Sequence, residues 1–460
     1  MRTVLLVSYT FPPQYDISAK RAAKLCKYLP RVGWKPLVLT KDWRSGATVE
    51  DRRRYAIVQN EHALAELTHV EIELTPYGSR DNVLRRWHSR LGGRYHDQPS
   101  DPADAARADE PATFAAVRSL ARRIMSAASP LYGDFPDEFR GWERPAVDAG
   151  VALAARRDVA VICSLCPPAS AHVVASEISR RTGIPWVALF DDLFSFYLES
   201  ERRASWRWYS SHMHRRWMRQ AAVAGAITPG MLEYVRRTYG IDGDLVMVGF
   251  DPDESPSVPP SRGDRLRLVY TGSVYPDDHR PELFFEALER VLASRLEAER
   301  LIEVVFAGTR QDAALKARLA AFPLAARACK FLDRVSPEAA LRLQREAHGL
   351  ILFNYTSPSA RNGTLSFPAK SFEYLNAGRP ILALPRDPGG WGDALLASTG
   401  AGVTANSPAE AVVVLDGWLG HWWSTGSLPY AAIRPEIARY AQPAQAAALG
   451  HLLDKANAKG

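Results

Sequence analysis

The sequence predicts an α/β protein built from two Rossmann-like halves, each a parallel sheet. Three observations carry this. Short, continuous apolar runs such as TVLLVSY, VAVICSLC, LRLVYT, IEVVFAG and ILAL suit strands buried on both faces. They alternate with stretches of helical apolar spacing on short links, and a strand–helix–strand unit of that kind closes in parallel. The 460 residues exceed one hydrophobic core, and Pro252, Pro256, Pro259 and Pro260 stiffen a segment between two such series. The expected division is a first domain at 1–250 with an insertion at about 77–140, and a Pro-rich linker at 251–264. A second domain follows at 265–430, and a crossover helix at 435–456.

In chain order, residues 3–9 form a strand that ends in Thr10-Phe11-Pro12-Pro13. Ser18 to Leu29 places Ala22, Leu25, Cys26 and Leu29 on one helical face, and WKPLVLT is the next strand. No GxGxxG follows the first strand, so a dinucleotide fingerprint is absent there. Tyr77 to Asp109 is rich in Arg and Asp and poor in β-branched residues, and reads as a partly disordered insertion. Residues 159–192 repeat strand, Pro-rich turn, helix and strand. Ser170 is the candidate cap of that helix, His172 lies in its first turn facing the strand ends, and Asp191 and Asp192 close the next strand. A lone histidine at a helix start serves structure or catalysis, and the sequence leaves both readings open.

Residues 202–219 interleave Trp206, Trp208 and Trp217 with six arginines. That mixture fits a helix at a membrane interface or a packed helix with snorkelling arginines. A short strand (AVAGAITP), a helix stopped by Gly240 and the DLVMVGFDPDE exit complete the first series. In the second, LRLVYTGSV is a strand running into a Gly-Ser turn, IEVVFAG a strand ending in Gly308, and GLILFNY a strand after the helix Pro337 to Ala347.

SFPAKSFEYLNAGRPILALP, residues 366–385, reads as a punctuated helix and strand. Ser366 is the N-cap, Pro368 sits in the first turn, Gly378 supplies a left-handed stop, and ILAL is a buried strand. Lys370 and Glu373, three apart, form a polar stripe one turn into the helix. Free N–H groups at the helix start together with Lys370 make an anion site, and Glu373 would take hydroxyls. Taken alone, the same spacing fits an ordinary surface Lys–Glu pair.

Composition excludes several classes. With 47% hydrophobic and 24% charged residues the chain is an ordinary globular one. The excess of 58 basic over 51 acidic residues gives +7, compatible with a nucleotide, a phosphorylated lipid or a membrane surface. Four cysteines make no extracellular disulfide framework, and the single CxxC of Cys163 and Cys166 lies in an apolar run, so buried thiols rather than a metal are expected. No apolar stretch is long enough to span a bilayer and no signal peptide opens the sequence, so a cytoplasmic protein is expected, with peripheral contact at the inner membrane face left open.

These segments in this order resemble the family 4 retaining glycosyltransferases of the GT-B fold, particularly the bacterial polysaccharide type. The likeness runs from LLVSYTFPP and GWKPLVLT through CPPASAH, GIPWVALFDD, VGFDPDE and LVYTGSVYP to FPAKSFEYLNAGRPILAL. It implies two Rossmann-like domains with parallel sheets facing an interdomain cleft. It also implies transfer from a nucleotide-diphosphate sugar to a polysaccharide, lipid-linked or small-molecule acceptor, with no metal, no further cofactor and no nucleic acid partner. Carried over residue by residue, Glu373 falls where a carboxylate holds the ribose, and Lys370 near the diphosphate. Gly272 and Ser273 approach the phosphates or the acceptor, Gly308 and Arg310 end a strand at the same place, and Val335 sits in the loop that contacts the base. Ser366 joins this donor set as the helix cap, and His172 and Asp192 are the candidate catalytic residues. The chain departs from the family pattern at Leu365, eight positions before Glu373, where the family has an acidic residue, and at Asp191 and Val248. The departures at Leu365 and Asp191 motivate the alternative of a non-catalytic partner of another transferase. A nucleotide-sugar epimerase is the third reading.

Overall fold

The structure is a computed structural model that describes residues 1–14, 17–43, 64–77, 135–137, 139–193, 204–254, 264–295, 298–308, 312–333, 335–355, 368–386 and 390–460. Most of the insertion expected at about 77–140, most of the Pro-rich linker, Arg310, Leu365 and Ser366 lie outside these residues. The chain divides into two compact units: Met1–Gly225 with Val235–Gly243 and Gly450–Gly460, and Ala226–Tyr234 with Asp244–Leu449.

The first unit is built around a seven-stranded sheet: β1 (Arg2–Val7), β2 (Trp34–Lys41), β3 (Glu71–Thr75), β4 (Val159–Cys166), β5 (Trp186–Phe190), β6 (Ala221–Ala226) and β7 (Gly243–Leu245). The order is β3-β2-β1-β4-β5-β6-β7. Its helices of eight or more residues are α1 (Ile17–Tyr28), α2 (Glu143–Arg156), α3 (Ala169–Thr182), α4 (Ala204–Met218) and α5 (Pro229–Tyr239). β1 pairs in parallel with both β2 and β4, which makes the gap between β1 and β4 the point where strand order reverses. The strands are apolar on both faces because helices cover both: Val4 to Val7 and Val187 to Phe190 are fully buried.

The second unit repeats the plan with β8 (Leu266–Thr271), β9 (Ile302–Ala307), β10 (Cys329–Leu332), β11 (Gly349–Phe353), β12 (Ile381–Leu384) and β13 (Gly402–Thr404), in the order β10-β9-β8-β11-β12-β13. Its longer helices are α6 (Glu282–Ser294), α7 (Asp312–Leu319), α8 (Pro337–Glu346), α9 (Lys370–Ala377), α10 (Trp391–Thr399) and α11 (Pro408–Thr425); α12 (Gln442–Asn457) starts in this unit and from Gly450 belongs to the first. Strand alternation sorts the core into two layers. Leu268, Tyr270, Ile351, Phe353, Leu382 and Leu384 pack with α6 and α11 on one face. Val269, Leu350, Leu352, Ile381 and Ala383 meet Phe372, Tyr374 and Leu375 of α9 on the other.

Three expectations change. The last helix is two pieces, Arg434–Ala438 and α12, because Tyr440 and Ala441 leave the helical path to pair with Phe250: the Phe250 N–H donates to the Tyr440 carbonyl at 3.1 Å and Gln442 N–H to the Phe250 carbonyl at 2.7 Å. Ser170 is not the cap of α3. It lies inside the helix, and its N–H and hydroxyl both donate to the Asp137 carboxylate, at 2.8 and 2.6 Å. A carboxylate at a helix start satisfies orphan N–H groups and the dipole together, better than a serine can. α9 begins at Lys370, later than expected, since the first turn after Pro368 is a tight one with Ser371 N–H on the Pro368 carbonyl at 2.9 Å. Gly378 ends it in the left-handed region, as the sequence indicates.

All four cysteines are buried with free thiols, and burial pushes their pKa up. Trp208 on α4 is exposed and stacks on His212, whereas Trp217 packs against Phe135. Among the described residues no helix is long and apolar enough to cross a membrane.

Candidate functional site

In the second unit the strand order reverses between β8 and β11, so the carboxyl end of β8 is where an open α/β sheet offers a crevice. The chain leaves β8 through Gly272, whose φ of +96° is a conformation that side-chain-bearing residues rarely adopt. Its N–H donates to the Ala307 carbonyl at 2.8 Å, so the turn is tied to the end of β9, where Gly308 follows. A Cβ on Gly308 would stand 3.8 Å from the Gly272 nitrogen, and a Cβ on Gly272 would stand 3.1 Å from Lys370 Nζ. The two glycines and the lysine are one neighbourhood of exposed backbone under an ammonium group.

Lys370, the first helical residue of α9, reaches past Gly272 to donate to the Tyr270 hydroxyl, and lies 3.5 Å from the Ser273 carbonyl oxygen. Its Nζ sits 4.0 Å from the centroid of the Tyr270 ring. The Tyr270 hydroxyl in turn donates to the Ser273 carbonyl at 2.7 Å. Burial lowers the Lys370 pKa to about 7, against a smaller upward pull from Glu373. Its nearest hydrogen-bonding partners are neutral oxygens, and no carboxylate among the described residues forms an ion pair with it. A largely desolvated ammonium whose hydrogen bonds go to neutral oxygens is a preformed place for an anion.

One helical turn on, Glu373 accepts a hydrogen bond from Gln344 Nε2 on α8 at 3.3 Å. The same Nε2 donates to Thr271 Oγ1 at 2.9 Å, and the Thr271 N–H donates to the Tyr374 hydroxyl at 2.9 Å. Gln344 and Tyr374 are fully buried. This network locks α8, α9 and the last residue of β8 together, so that Glu373 and Lys370 are held in register with the Gly272 turn.

The structure therefore brings together Gly272, Ser273, Gly308, Lys370 and Glu373. Val335 lies directly before Ser336, whose hydroxyl caps α8 by accepting the Ala339 N–H at 3.2 Å. Tyr270, Tyr374 and Gln344 belong to the site and were not singled out by sequence. A tyrosine inside an apolar strand and a glutamine on a polar helix carry no mark of which neighbours they will meet.

In the first unit His172 departs from its expected outward position. It is fully buried, edge-on to Trp186 and Phe190, and its Nδ1 shares a 2.7 Å hydrogen bond with Ser164 Oγ, which also accepts from Trp186 Nε1 at 2.7 Å. Burial lowers its pKa to about 3, so it is a neutral core imidazole. Ala169, Ser170 and Ala171 before it in the helix are buried as well. Asp191 pairs with buried Arg21 at 2.8 Å, and burial raises its pKa to about 6 despite that partner. Asp192 is half-buried in the bend after β5, its carboxylate accepting the Leu193 N–H at 2.9 Å. Among the described residues no three His, Cys, Asp or Glu side chains gather as metal ligands would.

Gly272→Ala is expected to destabilise the protein by about 1–3 kcal/mol, from left-handed backbone strain and displacement of Lys370. Urea denaturation reads this directly, and an unchanged midpoint would show that the turn tolerates a side chain.

The sequence matches no family model and no curated protein. Solved structures match across nearly the whole chain at low identity. HepE from Anabaena, in complex with UDP and glucose, is 13% identical at a TM-score of 0.57, covering 99% of this chain and 100% of that one. Sucrose-phosphate synthase from Thermosynechococcus elongatus is 12% identical at 0.56, covering 100% of both chains. The lipopolysaccharide outer core galactosyltransferase WaaB is 10% identical at 0.52, covering 98% of both. These likenesses, with the two parallel sheets of seven and six strands, show that the chain has the fold of the GT-B glycosyltransferases.

Proposed function

We propose that the protein is a retaining glycosyltransferase that moves a sugar from a nucleoside-diphosphate donor to an acceptor hydroxyl, with its second unit holding the donor. The observation that carries this reading is the Lys370 ammonium, desolvated and without a carboxylate partner, one turn from Glu373 and against the backbone of Gly272. That arrangement offers a cation to a diphosphate and a carboxylate to the ribose hydroxyls about one helical turn away. Gln344 supports the second role by holding one oxygen of Glu373 in place.

In the reaction the bond from the anomeric carbon to the diphosphate oxygen breaks, and a bond to the acceptor oxygen forms on the same face. The acceptor proton passes to the departing diphosphate. Lys370 stabilises the charge that collects on that leaving group, and this electrostatic work needs no protein nucleophile and no metal. Gly272 and Gly308 let the phosphates approach the backbone because neither carries a side chain. The chain's likeness to HepE, solved with UDP and glucose, supports the same class of donor. Asp192 is the candidate first-unit carboxylate for the acceptor.

A thermal-shift screen of nucleoside diphosphates and their sugars tests this. A bound donor at a hundred times its Kd raises stability by about 2.7 kcal/mol, several degrees in melting temperature. Release of free nucleoside diphosphate on adding an acceptor completes the assignment. A flat screen at millimolar ligand would sink it, and isomerisation of the donor sugar without acceptor would replace it with an epimerase.

A further inference from the structure

His279 follows the Gly272 turn and is 3% exposed. Its Nδ1 accepts the Tyr275 backbone N–H at 3.1 Å, so the ring proton sits on Nε2. That Nε2 is buried and has no hydrogen-bond partner among the described residues. Orphaned buried donors are rare, because each forfeits its hydration with nothing in return, so one in a folded chain calls for an explanation.

Its surroundings supply one. The imidazole packs against the rings of Tyr275, at 5.6 Å between centroids, and Tyr355, at 4.7 Å. Both tyrosines also bear on the phenol of Tyr270, the group that takes the hydrogen bond of Lys370. Burial, then the nearby Lys370 charge, lowers the His279 pKa to about 3, which keeps the ring neutral. An uncompensated ammonium and an unpaired N–H share one neighbourhood, and both are answered by an oxygen that carries negative charge. A second cation there would add repulsion to the empty site, whereas a neutral imidazole offers a donor without that cost.

We infer that His279 is a further ligand of the donor nucleotide, its Nε2–H donating to a phosphate oxygen beside Lys370. This rests on the reading of the site as one for a nucleoside diphosphate, and the test separates the two.

Calorimetry with UDP, GDP, ADP and dTDP on the wild type first finds the diphosphate that binds. If none binds, the site reading falls and this inference with it. With that diphosphate, His279→Phe is expected to weaken binding tenfold or more, the worth of a hydrogen bond to a charged acceptor. His279→Gln, which can place an amide N–H in the same direction, should recover most of the loss. Binding of the nucleoside alone should change less than twofold in either variant. His279→Phe that binds the diphosphate as tightly as wild type overturns the inference and leaves the site reading standing. Should the Phe variant not fold, 15N-histidine spectra of the wild type decide. A neutral Nε2–H signal that shifts on adding the diphosphate supports the contact, and one that stays put overturns it.

Discussion

Lys370→Met is expected to abolish nucleoside-diphosphate binding while raising the melting temperature of the ligand-free protein. Met keeps the apolar stem packed over Tyr270 and Gly272 and removes only the ammonium. Removing one partner of a desolvated ion pair costs about 2–5 kcal/mol of affinity, which is a loss of thirtyfold or more. Without ligand, the same ammonium is a burden that an apolar isostere relieves, by about 1 kcal/mol once the partial exposure of the side chain is allowed for.

The lowered pKa fixes the sign of the pH effects. Lys370 titrates near 7 in the folded chain and at its ordinary 10.5 when unfolded, so between these values the unfolded chain binds the extra proton. The contribution of Lys370 to ligand-free stability therefore rises with pH across that window, and the full cost of the charge is present below it. A bound phosphate favours the protonated lysine, so binding above pH 7 draws in a proton and weakens as pH climbs. Calorimetry at pH 8 in two buffers of different ionisation heat should count an uptake approaching one proton per ligand. Equal heats in both buffers for the wild type would place the ammonium away from the phosphates.

Glu373→Ala is the second large effect, with an expected loss of about 2–3 kcal/mol in nucleotide affinity, near a hundredfold. Gln344 keeps its bond to Thr271, so the fold should survive with a midpoint close to wild type. The ribose assignment is tested by a double-mutant cycle in which one partner is the ligand. The 2′-deoxynucleoside diphosphate should bind the wild type more weakly than the ribonucleotide, and that preference should vanish in Glu373→Ala. A preference that survives unchanged would move the ribose contact to another residue.

Much of the fold could be read from the chain because its signals are local. β4, β8, β9, β11 and β12 are apolar runs bounded by Gly, Pro or polar residues, and the strands fall on those runs within a residue or two. Other elements carry no such mark. β3 is the half-polar EIELT, which reads as strand only once Thr40 and Lys41 lie beside it. α11 is apolar on most of its surface, so periodicity marks neither its bounds nor its buried face. The cap of α3 comes from Asp137, far back in sequence, where no local rule looks.

The two histidines draw the same line. His172 sits at a helix start near strand ends, where the sequence points to a catalytic group, yet tertiary packing closes Trp186, Phe190 and Ser164 around it. His279 carries no such mark in the chain, yet it is buried close enough to Lys370 to feel its charge, with a second nitrogen that has no partner among the described residues. By itself the sequence determined the two α/β repeats, the Gly272 and Gly378 turns, and the spacing that puts Lys370 and Glu373 on one side of a helix, since these depend on backbone preferences within a few residues. Tertiary structure alone decided which polar groups are stripped of water and which are left unsatisfied. Burial and hydrogen-bond partners come from residues tens of positions apart, and it is burial that turns a lysine, a glutamate and a histidine into a site.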